Sequence, residues 1–182
     1  IHLLKIVIRH SVINYKFFII FLILEISLYA VGNKYREYTA KCMGTEFRIL
    51  IDHDNEELSQ NAADSAFGEA NRLNQIFSDY IADSEISLLS ESSFTGRKIK
   101  LSDELFEVLK YSKSLAIKTN NAFDPTIGQL SRLWRISRFR KSLPSKKSID
   151  RALSLKGIEN LHLIEESKEV LLKKPGILLD LG

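Results

Sequence analysis

Three short stretches of the chain carry residue types that chemistry can use. Met43-Gly44-Thr45 sets a thioether and a hydroxyl on either side of a glycine within a run of strand character. A glycine in that setting marks either a bulge or the close approach of a ligand to the backbone. Tyr80 to Ser90 is rich in Ser and Asp and holds one aromatic. Its hydroxyls and ring suit a base or a flavin; the same residues equally suit a helix capped by Ser84 with Tyr80 packed at the surface. Thr119 to Thr126 places Asp124 between Phe123 and Pro125. The proline ring pushes Asp124 out of helical space, which either presents a rigid acceptor to a ligand or caps the helix that follows.

Other chemistries lack their residues. No G-x-G-x-x-G, Walker loop, H-E-x-x-H or G-x-S-x-G occurs, so the common phosphate, zinc-protease and serine-hydrolase sites are excluded by motif. His2, His10, His53 and His162 are scattered without ligand spacing. Cys42 is the single cysteine, which excludes an internal disulfide framework and a Cys-rich zinc site.

The elements that must hold these stretches follow from periodicity. Tyr38 to Asp52 reads as extended, with Phe47, Ile49 and Ile51 alternating with Arg48 and Leu50. Asn55 to Phe77 reads as an amphipathic helix capped by Asn55, with Leu58, Ala62, Ala66, Phe67, Ala70, Leu73, Ile76 and Phe77 as its stripe. A short helix is expected from Ser84, a brief strand at Lys98–Leu101, and a helix from Ser102 to about Thr119. That helix buries Leu105, Val108, Leu109, Ser112 and Leu115 and ends at the turn Asn120-Asn121. Pro125 starts a helix through Trp134, residues 135 to 147 read as a basic loop, and Ser148 to Leu155 as a short helix stopped by Gly157. Asn160–Ile164, Glu169–Leu172 and Ile177–Leu181 read as three strands. Helices first and a meander last indicate α+β layers.

Composition sets the class. With 182 residues, 45% hydrophobic and 27% charged, and only 8 Gly and 3 Pro, the chain has the make-up of one globular domain with a core of its own. Lys5, Arg9 and Lys16 against Glu25 account for +2 of the formal +3. The rest is nearly neutral, and no basic patch for nucleic acid is present. Those cations precede an apolar run, Phe17 to Val31, and Ala30-Val31-Gly32 has the small-x-small form of a cleavage site. Residues 1–32 therefore read as a signal peptide or N-terminal anchor, and 33–182 as the domain. The apolar run spans roughly 22 Å as helix, short for a bilayer core, and Glu25 would sit within it.

Taken together, the three stretches resemble the ApbE family of flavin transferases. Its pattern runs M-G-T on an early strand, then S-x-Y-x-x-x-S-E-(I/L)-S-x-L-N. T-x-G-A-F-D-P-T-x-G-x-L-x-x-L-W follows, and then a D-L-G-G-I-A-K-G-like segment. The chain supplies Met43-Gly44-Thr45, Ser78 and Tyr80 with Ser84-Glu85-Ile86-Ser87, and Thr119 with Ala122 to Thr126, Gly128, Leu130, Leu133 and Trp134. It ends on Asp180-Leu181-Gly182 inside the fourth motif. Asn121 stands where the pattern has Gly, and Ser90 where it has Asn; the resemblance covers residues 38 to 182.

The resemblance implies the first part of an α+β, layered, T-fold-like transferase domain. It implies transfer of the FMN moiety of FAD to a Thr or Ser hydroxyl of a partner protein through a phosphodiester bond, with AMP released and Mg²⁺ required. FAD contacts would come from Met43, Tyr80, Ala122, Phe123 and Asp124, with Asp180 at the cofactor's edge. The catalytic residues are not assigned, and the magnesium-holding positions of the family lie beyond the matched motifs, so residues 1–182 alone are expected to be inactive. Export, to the periplasm or the periplasmic face of the inner membrane, follows from the N-terminal segment. An FAD-hydrolysing relative and a non-catalytic flavin-binding protein are the alternatives.

Overall fold

In the computed structural model, which describes residues 35–182, most helices begin on a side-chain cap. Asn55 Oδ1 accepts from the Leu58 amide at 3.0 Å and starts α1 (Glu56–Phe77). Ser84 Oγ accepts from Ser87 N at 3.2 Å and starts α2 (Glu85–Ser92). Ser102 and Ser145 do the same for α3 (Asp103–Lys118) and α5 (Lys146–Leu155). Each cap satisfies an amide that the first turn would leave unpaired. Among the described residues, no helix is long and apolar enough to cross a membrane. The segment read as an export signal, 1–32, lies outside the described residues.

The chain divides into two compact units, one running to Ala40 and again over Glu46–Ser65, the other over Lys41–Thr45 and Ala66–Gly182. In the first, β1 (Arg36–Cys42) pairs with β2 (Thr45–Ile51), and α1 begins. Arg48 Nε lies 3.2 Å from Glu37 Oε1 across the strands. Phe47, Ile49 and Ile51 are half-buried and alternate with exposed Arg48 and Leu50, as the period of two requires. The first turns of α1 differ from the expected stripe: Leu58, Ala62 and Ala66 are exposed, and Ser59 and Ala63 are buried. Ser59 can be buried because its hydroxyl donates to Asn55 O at 2.9 Å, a bond that apolar periodicity does not see. Further along, Phe67, Ala70, Leu73, Ile76 and Phe77 are half-buried as expected.

The second unit carries the main core. A three-stranded antiparallel sheet has the order β3 (Ile99–Lys100), β5 (Glu169–Leu172), β4 (Leu161–Ile164). Its register, Ile99 opposite Val170 and Leu161 opposite Leu172, puts those four side chains on one face. α2 packs on β5, and α3 packs on β4 and the one-turn helix Ile158–Asn160. Ile86, Leu89, Leu105, Phe106, Leu109, Val170 and Leu172 form the buried cluster between them. The α3 stripe is Leu105, Phe106, Leu109, Ser112 and Ala116, with Val108 and Leu115 only half-buried. At its end, Asn121 N donates to Ala116 O at 2.8 Å and Asn120 N to Ile117 O at 3.2 Å. Both asparagines have positive φ, 50° and 61°, so Asn121 occupies the left-handed position suited to the glycine of the family pattern.

Two further expectations fail. Residues 135 to 140 are not loop but the second half of α4 (Gly128–Arg140). Arg138 and Arg140 complement the negative end of the helix dipole, and Lys141 closes it at φ 51°. Residues 177 to 181 form no strand and pair with none. Their backbone is satisfied otherwise. Ser93 Oγ accepts from Gly176 N at 3.1 Å, and Ser90 Oγ accepts from Leu179 N at 3.1 Å. From the opposite side, Gly128 N donates to Leu178 O at 3.0 Å, and Asp180 N donates to Pro125 O at 2.9 Å. Ile177 and Leu179 are fully buried in the core cluster. The segment is thus clamped between α2 and the turn that opens α4.

Gly128 permits that approach. A Cβ there would lie 2.6 Å from the Leu178 carbonyl carbon and oxygen. Gly128→Ala is expected to lower stability by about 1–3 kcal/mol through overpacking against backbone. Ser90→Ala leaves the Leu179 amide without its acceptor and is expected to cost a similar amount, about 1–3 kcal/mol. Urea unfolding checks both; midpoints equal to wild type would show that the clamp does not carry the fold.

Candidate functional site

The turn between α3 and α4 is tied by side chains at each step. Thr119 Oγ1 donates to Leu115 O at 2.8 Å and accepts from Phe123 N at 3.3 Å. Asp124 Oδ1 accepts from both the amide and the hydroxyl of Thr126, at 2.9 and 2.6 Å. Thr126 Oγ1 in turn accepts from Gly157 N at 2.7 Å, which links the turn to the segment after α5. Asp124, Pro125 and Thr126 are buried, Phe123 is half-buried, and Ala122 is exposed. Asp124 therefore organises the entrance of α4, which has no side-chain cap of its own.

The serine-rich stretch is likewise mostly scaffold. Ser84 Oγ donates to Ser78 O at 2.5 Å, besides capping α2. The Glu85 carboxylate accepts from Ser102 N and Oγ at 2.5 and 2.6 Å, fixing the residue that caps α3. Ser90 holds Leu179. Tyr80 is the exception: it is 76% exposed and makes no side-chain hydrogen bond among the described residues.

Tyr80 stands at a cleft of about 450 Å³ lined also by Asp79, Ser87, Ser90, Arg132, Arg135 and Leu178. The Arg135 guanidinium carbon lies 4.2 Å from the centre of the Tyr80 ring. Arg135 is hydrogen-bonded to the Asp79 carboxylate, and its Nη2 is 3.9 Å from Asp180 Oδ2. Burial works against the Arg135 charge, but the bond and charge of Asp79, with Tyr80 and Asp180, outweigh it and hold the guanidinium above its ordinary range. Asp180 Oδ1 accepts from Gly182 N at 2.9 Å. Arg135, Asp79 and Asp180 thus form a half-buried charged triad beside an exposed ring.

Of the residues singled out by sequence, Tyr80 and Asp180 come together through Arg135. Asp124 reaches Asp180 only by way of the Pro125 carbonyl. Ala122, Phe123 and Met43 are not among the residues lining the cleft. Met43 lies on the turn between β1 and β2, 41% exposed, and shares positive φ with Gly44, at 50° and 74°. A turn of that kind joins two paired strands without a bulge in either. Arg135 and Asp79 are not among the residues the sequence singles out; Arg135 falls in the stretch expected to be a basic loop. The spacing of Arg132, Arg135 and Arg138 at three residues was the available sign of a helix face. A second cleft, about 530 Å³, is lined by Phe94, Leu133, Ile136, Arg151 and Leu155 and holds none of the candidate contact residues. Among the described residues, no three of His, Cys, Asp or Glu come together in a way that could hold a metal ion.

The comparisons with known proteins agree on one family. The ApbE family model matches residues 43–182. The FAD:protein FMN transferase of Klebsiella pneumoniae (strain 342) is 28% identical over 152 residues, covering 82% of this chain and 46% of the relative. That of Buchnera aphidicola subsp. Baizongia pistaciae is 28% identical over 159 residues, covering 85% and 46%. Among solved structures, the ApbE protein of Thermotoga maritima superposes with a TM-score of 0.71 at 25% identity, over 81% of this chain and 47% of that one. The flavin transferase ApbE of Vibrio cholerae gives 0.65 at 20% identity, over 81% and 48%. The chain spans about half the length of the curated relatives it matches. With the family model covering the hairpin turn, the Tyr80 cleft and the clamped segment alike, this mixed α/β chain belongs to the ApbE family.

Proposed function

We propose that the protein is an FAD:protein FMN transferase whose flavin rests against Tyr80, with Met43, Ala122, Phe123, Asp124 and Asp180 as its further FAD contacts. The observation that carries this reading is an exposed aromatic ring at the mouth of a cleft, with a fixed charged triad beside it. The π-face of such a ring suits a flat heterocycle. The names of the relatives support flavin transfer.

In the reaction, a Thr or Ser hydroxyl oxygen of the acceptor protein attacks the FMN phosphorus of FAD. The bond from that phosphorus to the bridging oxygen breaks, AMP leaves with the oxygen, and the hydroxyl proton is lost. The product is a phosphodiester between FMN and the acceptor. This chain's residues would hold the flavin and fix its orientation, so that the phosphorus meets the hydroxyl in line. Mg²⁺ belongs to the family expectation, and no part of the role given to these residues runs through it. The acceptor is a protein met outside the cytoplasm, a reading supported by the basic residues preceding the apolar run Phe17–Val31.

Two substitutions in the full protein separate binding from scaffold. Tyr80→Ala removes an exposed ring, so the unfolding midpoint should stay near wild type while FAD affinity falls about two- to tenfold. Asp124→Ala removes the acceptor for two Thr126 donors and should lower stability by about 1–3 kcal/mol as well as weakening FAD binding. Flavin fluorescence titration and urea unfolding read the two effects. Transfer of fluorescent flavin to a Thr-containing acceptor, seen after denaturing electrophoresis, reads the activity. Unchanged FAD affinity and transfer in Tyr80→Ala would overturn the reading.

A further inference from the structure

We propose that Arg135 is a movable cover on the ligand-facing side of Tyr80, and that it sets how tightly the protein holds a flavin. This rests on the flavin reading above and adds a competitor built into the chain. Tyr80 and Arg135 line the same cleft, and the guanidinium lies over one face of the ring. At 4.2 Å from the ring centre, the guanidinium occupies the layer that a stacked heterocycle would need. A flavin and Arg135 cannot share that face.

The cover is anchored at its tip and hinged at its base. Arg135 belongs to α4, whose first residue is pinned to Leu178, so its backbone position is set. Its side chain is long and has several rotatable bonds, and its head is held by the Asp79 carboxylate with Asp180 at 3.9 Å. Lifting it gives up one cation–π contact and strains or breaks one ion pair. Flavin affinity is lowered by that amount, and a substitution that removes the cover restores it.

The test uses riboflavin, because a ligand without phosphate does not confuse loss of the cover with loss of attraction for an anion. In the full protein, Arg135→Ala should bind riboflavin about two- to tenfold more tightly than wild type. Asp79→Asn keeps the cover but loosens its anchor, and should also tighten binding, by less. Raising the salt concentration should strengthen riboflavin binding to wild type and leave Arg135→Ala unchanged, since screening weakens the anchoring pair. Affinity that is equal or weaker in both variants, with wild type still binding, would overturn the cover and leave the flavin reading intact. Absence of riboflavin and FAD binding in wild type and both variants would overturn the flavin reading and the cover with it.

Discussion

Residues 176 to 180 form an irregular segment whose backbone is held by groups outside any sheet. Serine hydroxyls from α2 and its C-cap accept from Gly176 and Leu179 on one side. The turn before α4 takes Leu178 O and Asp180 N on the other. Buried backbone must be paired, and here two serine hydroxyls, the Gly128 amide and the Pro125 carbonyl do what a neighbouring strand would otherwise do. Because Ile177 and Leu179 point into the core and the backbone bonds on both flanks, no one-residue slip is tolerated. A slip would expose both side chains and break every bond of the clamp.

The clamp places the charges. With Asp180 N bonded to Pro125 O, the Asp180 carboxylate comes within 3.9 Å of an arginine on α4, whose N-terminal glycine touches the same segment. Asp79, just before Tyr80, completes the triad. The two acids and the arginine are each about one-fifth to one-quarter exposed, so their interaction is screened less than that of a surface pair. The triad in turn fixes where Arg135 lies over Tyr80. Ring, cover and acid are thus consequences of one packed segment, with Asp124 and Thr126 holding the turn from behind.

Much of this was legible from local rules. Ser84, Ser102 and Asn55 announce helix starts through their own hydrogen bonds, and those appear as read. Asn121 in place of glycine sits at φ 61°, a conformation asparagine tolerates. Tertiary effects were not legible. Counting apolar residues alone missed Ser59, whose burial is made possible by a backbone acceptor one turn away. The stretch Arg135 to Arg140 looked like loop because its charges suggested solvent; distant acids and the helix dipole make it helix. Residues 177 to 181 have strand composition, but the partners that satisfy them are side chains and a turn far along the sequence. At the site, the motif residues could be found but their duties could not. Most of them hold the scaffold, and the arginine that meets Tyr80 lies just past the matched positions.

Native-state amide hydrogen exchange at Leu179 and Asp180 tests the central claim, that this segment is a clamped part of the core. Both amides are single donors to named acceptors, Ser90 Oγ and Pro125 O, and neither belongs to a strand ladder. If the clamp holds, they exchange only through opening as costly as that of His162 and Leu171, which face each other as a hydrogen-bonded pair across β4 and β5. Exchange as fast as that of exposed turn residues such as Glu165 and Glu166 would contradict the account, because Asp180 and the cover over Tyr80 would then have no fixed frame.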